Sequence, residues 1–188
     1  MTEFTIHTPQ TAPAAANDAL VALQTNIGFI PNLAATIAES PAALSGFVAL
    51  QSAVRSGRLS ALEREVVGVT VSLHNRSRYS MAAHSTFAAG AGAEPATLAT
   101  LRAGEPLPDA RLEALRLFTV DVLRRDGHVA DQPLDRFLSA GFEPACALEV
   151  IEQIAYTTFA NYVANAARPP VDDAFAAQAW EGVEVVAG

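Results

Sequence analysis

Glu65, Ser77, Ser80 and His84 are the residues whose types and spacing could carry chemistry. A carboxylate held beside an imidazole in apolar surroundings orients the ring and stabilises its protonated form, which equips it to move protons. In the stretch EVVGVTVSLHNRSRYSMAAH, the apolar run Val66, Val67, Val69, Val71 and Leu73 predicts one helix, and a second opens near Ser77. Ser77, Ser80 and His84 then share one face of that second helix, at i, i+3 and i+7. At ~1.5 Å per residue, Glu65 lies roughly 14 Å from the turn along the first helix and His84 roughly 10 Å along the second. An antiparallel hairpin therefore brings the two to nearly the same level. A nucleophilic arrangement of serine, His84 and Glu65 is conceivable, but no G-x-S-x-G elbow accompanies it.

The neighbours of these residues have plainer uses as well. Ser77, just after a turn and before a helix, suits an N-cap, a role compatible with lining a pocket. Ser80 has no such role and is expected to present its hydroxyl to a pocket. Tyr79 and Arg76 flank the serines, where they could hold a ligand carboxylate or carbonyl. His7, His74, His84 and His128 show no H-x-x-x-H or H-E-x-x-H spacing, so no metal site is expected. Glycine-containing loops match no phosphate or dinucleotide fingerprint, and no cofactor is expected.

The elements that must position these side chains read as helices throughout. Residues 1–16 lack any period and are expected to be a flexible leader, with residues 17–188 forming a single domain. Asn17 and Asp18 are expected to cap a first helix through about Gln24, and Pro31 to open a short one through Glu39. Ser40-Pro41 starts a third, through about Arg55. Ser60-Ala-Leu-Glu63 is a capping box, which starts the Glu65 helix. Asn75-Arg76-Ser77 makes the turn, and the His84 helix runs to about Ala89. Further helices open at Pro95, after Asp109 and after Asp131. A long helix from Pro144 to about Ala167 is expected to turn Leu148, Ile151, Ile154, Ala155, Thr158, Phe159 and Tyr162 inward. Pro169-Pro170 ends it, ahead of a short helix around Phe175 to Trp180. With no convincing strand, the fold class is all-α.

Composition sets the outer bounds. A chain of 188 residues can hide about 70% of its unfolded surface, enough for one domain with a real core. Its net charge of -8 argues against nucleic acid or an anionic membrane as the main partner. No apolar run approaches the ~20 residues of a membrane span and the amino end lacks a secretory pattern, so a cytoplasmic protein is expected. Cys146 is the only cysteine, which excludes an intrachain disulfide or a two-thiol redox cycle and leaves a small buried hydrophobe.

The spacing Glu65, eleven residues, Ser77, two, Ser80, three, His84 resembles the Glu…Cys-x-x-Cys-x-x-x-His signature of AhpD-like alkylhydroperoxidases in the carboxymuconolactone decarboxylase family, with both cysteines replaced by serine. GFIPNLAATIAESPAAL upstream and AGFEPACALEVIEQIAYTTFANYVANA downstream resemble the family's segments in the same order, so the likeness spans roughly residues 25 to 172. It implies an AhpD-like helical domain whose central hairpin carries the site, and a homo-oligomer, as a trimer or hexamer. It also implies that Tyr156 and Asn161 reach the cavity. In the family the two thiols react with peroxide while Glu and His relay protons. A hydroxyl forms neither a sulfenic acid nor a disulfide. The expectation is therefore a non-redox small-molecule enzyme in which Glu65 tunes His84, with Ser77 and Ser80 as hydrogen-bond donors, acting on a small organic acid, lactone or carbonyl compound. The alternative is a ligand-binding or structural protein with a vestigial site.

Overall fold

The expected capping box forms in the computed structural model, which describes residues 4–182. Ser60 Oγ accepts from the Glu63 amide at 3.2 Å, and Glu63 Oε2 accepts from the Ser60 amide at 2.8 Å. Glu63 Oε1 also accepts from Arg111 Nε at 2.9 Å, so the start of this helix is tied to the helix that carries Arg111. The order along the chain is α1 (Ala14–Ile27), α2 (Asn32–Ile37), α3 (Pro41–Ser56), α4 (Ala61–His74), α5 (Arg78–Gly90), α6 (Pro95–Ala103), α7 (Ala110–Arg124), α8 (Asp131–Ser139) and α9 (Pro144–Ala167). A 3₁₀ helix, Asp173–Gln178, follows. Among the described residues there is no strand, and none of these helices is long and apolar enough to cross a membrane.

The hairpin α4–α5 lies between two apolar cores. On one side Val66, Val67, Val69 and Val71 pack with α7, α8 and α9 through Leu115, Phe118, Phe137, Phe142 and Val150. There Phe118 and Phe137 stack at 4.5 Å, and Phe137 and Phe142 at 4.3 Å. On the other side Tyr79, Ala82 and Ala83 of α5 pack with α1, α2, α3 and Phe175 through Leu20, Leu33, Leu44 and Phe47. Cys146 is buried in the first core, as expected of a small hydrophobe.

Several boundaries differ from expectation, each for a local reason. α1 begins at Ala14, because Pro13 presets the extended-to-helical entry; Asn17 and Asp18 sit inside the helix and do not cap it. Residues 7–12 dock, with the His7 amide donating to Ala35 O at 3.2 Å and His7 Nε2 lying 3.0 Å from Glu39 Oε2. Residues 1–3 and 183–188 of the expected leader and domain lie outside the described residues. Asp131 is the first residue of α8, and Ala130 occupies the cap position. The expected inward face of α9 is the largest correction. Leu148, Ile151, Ala155 and Tyr162 are exposed, whereas Val150, Gln153, Ile154, Thr157, Ala160, Asn161 and Ala164 are buried. A helix apolar on nearly every side gives periodicity no contrast, and its buried face is marked by polar residues with hydrogen-bonding work inside.

The turn between α4 and α5 closes as a Schellman motif. The Ser77 amide donates to Ser72 O at 3.0 Å and the Arg76 amide to Leu73 O at 3.1 Å, with Arg76 in the left-handed conformation at φ 53° that glycine usually takes. Arg76→Gly is expected to raise stability by roughly 0.5–1 kcal/mol, seen as a higher urea midpoint at unchanged slope. A lower midpoint would contradict this account of the turn.

Candidate functional site

Glu65 sits one turn into α4, past its capping box, and His84 two turns into α5; the tight turn holds the helices antiparallel so that the two side chains meet. His84 Nδ1 lies 2.7 Å from Glu65 Oε2, with the side chains only 10% and 17% exposed. A carboxylate there holds the proton on Nδ1 and leaves Nε2 free to accept or deliver one. The imidazole fits because the facing position on α4 is Gly68. A Cβ at Gly68 would lie 2.4 Å from His84 Nδ1 and 2.7 Å from Cε1, distances that no packed side chain tolerates. Gly68 was missed by the search for chemical groups. Its signal was available as a lone glycine inside a valine-rich helix, three residues after Glu65.

His84 opens onto a cavity of about 60 Å³, large enough for a few waters. Its walls are apolar and aromatic, including Leu33, Phe47, Phe87, Tyr156 and Phe175, with Ser80 beside His84. Ser80 Oγ is buried and has no hydrogen-bond partner. A second space of about 50 Å³ meets the first at Gln51, His84, Phe87 and Tyr156, and is lined by Arg55, Arg64 and Gln153. Gln153 Oε1 is likewise buried without a partner. Tyr156 Oη accepts from Gln51 Nε2 at 3.0 Å; burial pushes its hydroxyl up to about 12, against the pull of that bond.

The remaining expected site residues divide clearly. Tyr79 lines the cavity, yet its hydroxyl is committed: it donates to Asp172 and accepts from the Leu33 amide at 3.2 Å. Burial and then the Asp172 carboxylate push that hydroxyl far above the ordinary tyrosine value, so Tyr79 is a neutral wall. Ser77 stands at the cap position of α5 without capping it, because its Oγ is fully buried and unpartnered; it is not part of the cavity wall. Asn161 is also absent from that wall. Its Oδ1 accepts from Asn75 Nδ2 at 3.1 Å, and it pins α9 to the α4–α5 turn. Arg76 faces a different hollow, with Arg78 and Arg168. Sequence reasoning missed Gln51, one turn from Phe47 on the same face of α3, and Asp172, whose carboxylate also accepts from the Asn32 amide at 3.0 Å. Among the described residues no three His, Cys, Asp or Glu side chains come together.

Residues 41–120 match the carboxymuconolactone decarboxylase family. No curated protein matches the chain. Three solved structures share the fold. A peroxidase-related protein from Ralstonia eutropha JMP134, described as an alkylhydroperoxidase AhpD core, superposes with a TM-score of 0.82 at 22% identity, covering 92% of this chain and 93% of that one. A peroxidase-related protein from Silicibacter sp. TM1040 gives 0.78 at 21% identity, covering 94% of both chains. The debrominase Bmp8 gives 0.78 at 16% identity, covering 95% of this chain and 96% of that one, and a cysteine-to-alanine variant of it was crystallised with 2,3,4-tribromopyrrole.

Two measurements follow from the geometry. Gly68→Ala, ordinarily favourable in a helix by about 1 kcal/mol, is expected to push the imidazole off Glu65; loss of the Nδ1–H···carboxylate signal in NMR with the helical circular dichroism retained is the expected result. Tyr156 contributes stability that is fully present below about pH 10, where the unfolded phenol titrates, and is lost as pH rises through about 12. Between about pH 9.5 and 11.5 the melting temperature of the wild type should fall more steeply than that of Tyr156→Phe, and parallel curves would refute the assignment.

Proposed function

We propose, for a chain whose residues 41–120 belong to the carboxymuconolactone decarboxylase family and whose fold is AhpD-like, that the cavity at His84 performs non-redox acid–base chemistry on a small molecule. The observation that carries the proposal is the shielded 2.7 Å contact between His84 Nδ1 and Glu65, opening on an apolar cavity beside an unpartnered Ser80 hydroxyl. His84 Nε2 takes a proton from the substrate, and Glu65 stabilises the imidazolium that forms. The Ser80 hydroxyl then donates to the oxygen on which negative charge develops. The aromatic walls take the hydrocarbon part of a small organic acid, lactone or carbonyl compound.

The positions at which the family signature carries thiols hold Ser77 and Ser80, and Cys146 lies in the core on the far side of the hairpin. Peroxide reduction through a sulfenic acid and a disulfide therefore has no sulfur at this site. The likeness to a debrominase supports chemistry other than peroxide reduction on this fold.

A thermal-shift screen of the wild type and His84→Ala against small carboxylic acids, lactones, quinones and organic hydroperoxides tests the proposal. One class other than hydroperoxides should stabilise the wild type, by about 2.7 kcal/mol at a hundredfold excess over Kd. Turnover of that class should fall by roughly 10²- to 10⁴-fold in His84→Ala. Equal melting of both proteins across all classes would leave a vestigial site, and His84-dependent hydroperoxide turnover with a dithiol would overturn the non-redox reading.

A further inference from the structure

All twelve cationic side chains of this chain are arginines, set against twenty carboxylates. The chain is therefore acidic overall, with a net charge of -8. Three of the arginines, Arg76, Arg78 and Arg168, nevertheless line one hollow of about 450 Å³, together with Asn165 and the outer side of Tyr79 and with no carboxylate in the wall.

Their backbone positions sharpen the point. Arg76 follows the Asn75 cap of α4 and Arg168 caps α9, and both are left-handed at φ 53°. Glycine is the residue that this conformation favours, yet both positions carry long cationic side chains that reach the same space. A cation near a helix carboxyl end is favourable in itself, which accounts for either arginine singly. It does not account for their convergence with Arg78, which comes from the amino end of α5. That end brings the same sign of charge, and its cap residue Ser77 leaves the first amides without a side-chain partner. Neither Arg76 nor Arg168 has a carboxylate partner among the described residues, while Arg78 pairs with the highly exposed Glu181 and donates to Trp180 O at 3.2 Å.

We infer that this hollow is an anion-binding site, separate from the His84 cavity, that takes a small oxyanion bearing two or more charges, of the phosphate or polycarboxylate class. Planar guanidinium groups bind such oxygens in bidentate fashion. Two unpaired guanidiniums and a third already shared with Glu181 leave a surplus positive charge that a single carboxylate would not balance. Glu181 acts as the internal competitor, occupying Arg78 until the ligand displaces it.

Isothermal titration calorimetry of the full chain tests this with inorganic phosphate and with citrate, at ionic strength held constant with sodium chloride. The wild type should show saturable binding of at least one of them. The double variant Arg76→Gly/Arg168→Gly should lose at least tenfold in affinity while melting no lower than the wild type, since glycine suits both backbone positions; this separates loss of the site from loss of the fold. Glu181→Gln should bind severalfold more tightly. Absence of saturable binding of both anions to the wild type would overturn the inference, as would unchanged affinity in the double variant.

Discussion

The approach of the His84 ring to the bare backbone at Gly68 is the constraint on which the rest of the arrangement depends. It sets how close α5 stands to α4, and so whether Glu65 can reach Nδ1 at hydrogen-bonding distance. The surrounding structure reads as a frame for that spacing. The capping box and Arg111 fix the start of α4, the Schellman turn fixes its end, and Asn161 fastens the turn to α9. A buried ion pair or charged hydrogen bond brings little net stability once desolvation is counted. The hairpin therefore owes its stability to the two apolar cores on either side, and the dyad is carried by them.

Much of the frame was legible in the sequence because it depends on local rules. Ser40-Pro41, Ser60 with Glu63, and Asp109 are start signals whose physics lies within a few residues, and the helices begin where those signals stand. The meeting of Glu65 and His84 was legible too, since a short turn and a fixed rise per residue leave little freedom. What was not legible depends on rotation of a helix about its axis. α9 is apolar almost all round, so the sequence does not say which side faces in; Asn161, expected to reach the cavity, is buried and serves as an internal tie to Asn75. Ser77 and Arg76 sit at the turn, where sequence spacing does not fix which way a side chain points; Arg76 lines a different hollow and Ser77 is buried away from the cavity wall. Gly68 was invisible to a search for functional groups because its contribution is an absent atom.

The family signature and the chemistry of the individual residues carry different weight here. The fold and the Glu65–His84 contact stand here in a chain whose Ser77 and Ser80 carry hydroxyls, which cannot do what thiols do. The Glu65–His84 contact requires only geometry and an ionisable ring, whereas thiol redox chemistry requires one particular element.

The tie between Asp172, Tyr79 and the amides of Asn32 and Leu33 joins segments about 140 residues apart in the chain, and it seats Phe175 against Phe29, Tyr79 and Phe87. Because synthesis proceeds from the amino end, the helices can pair before this last segment exists. The Glu65–His84 pair lies in segments made early, whereas Asp172 and Phe175, which close one side of the cavity, lie in a segment synthesised after them, so that side of the wall is completed only when the later segment docks.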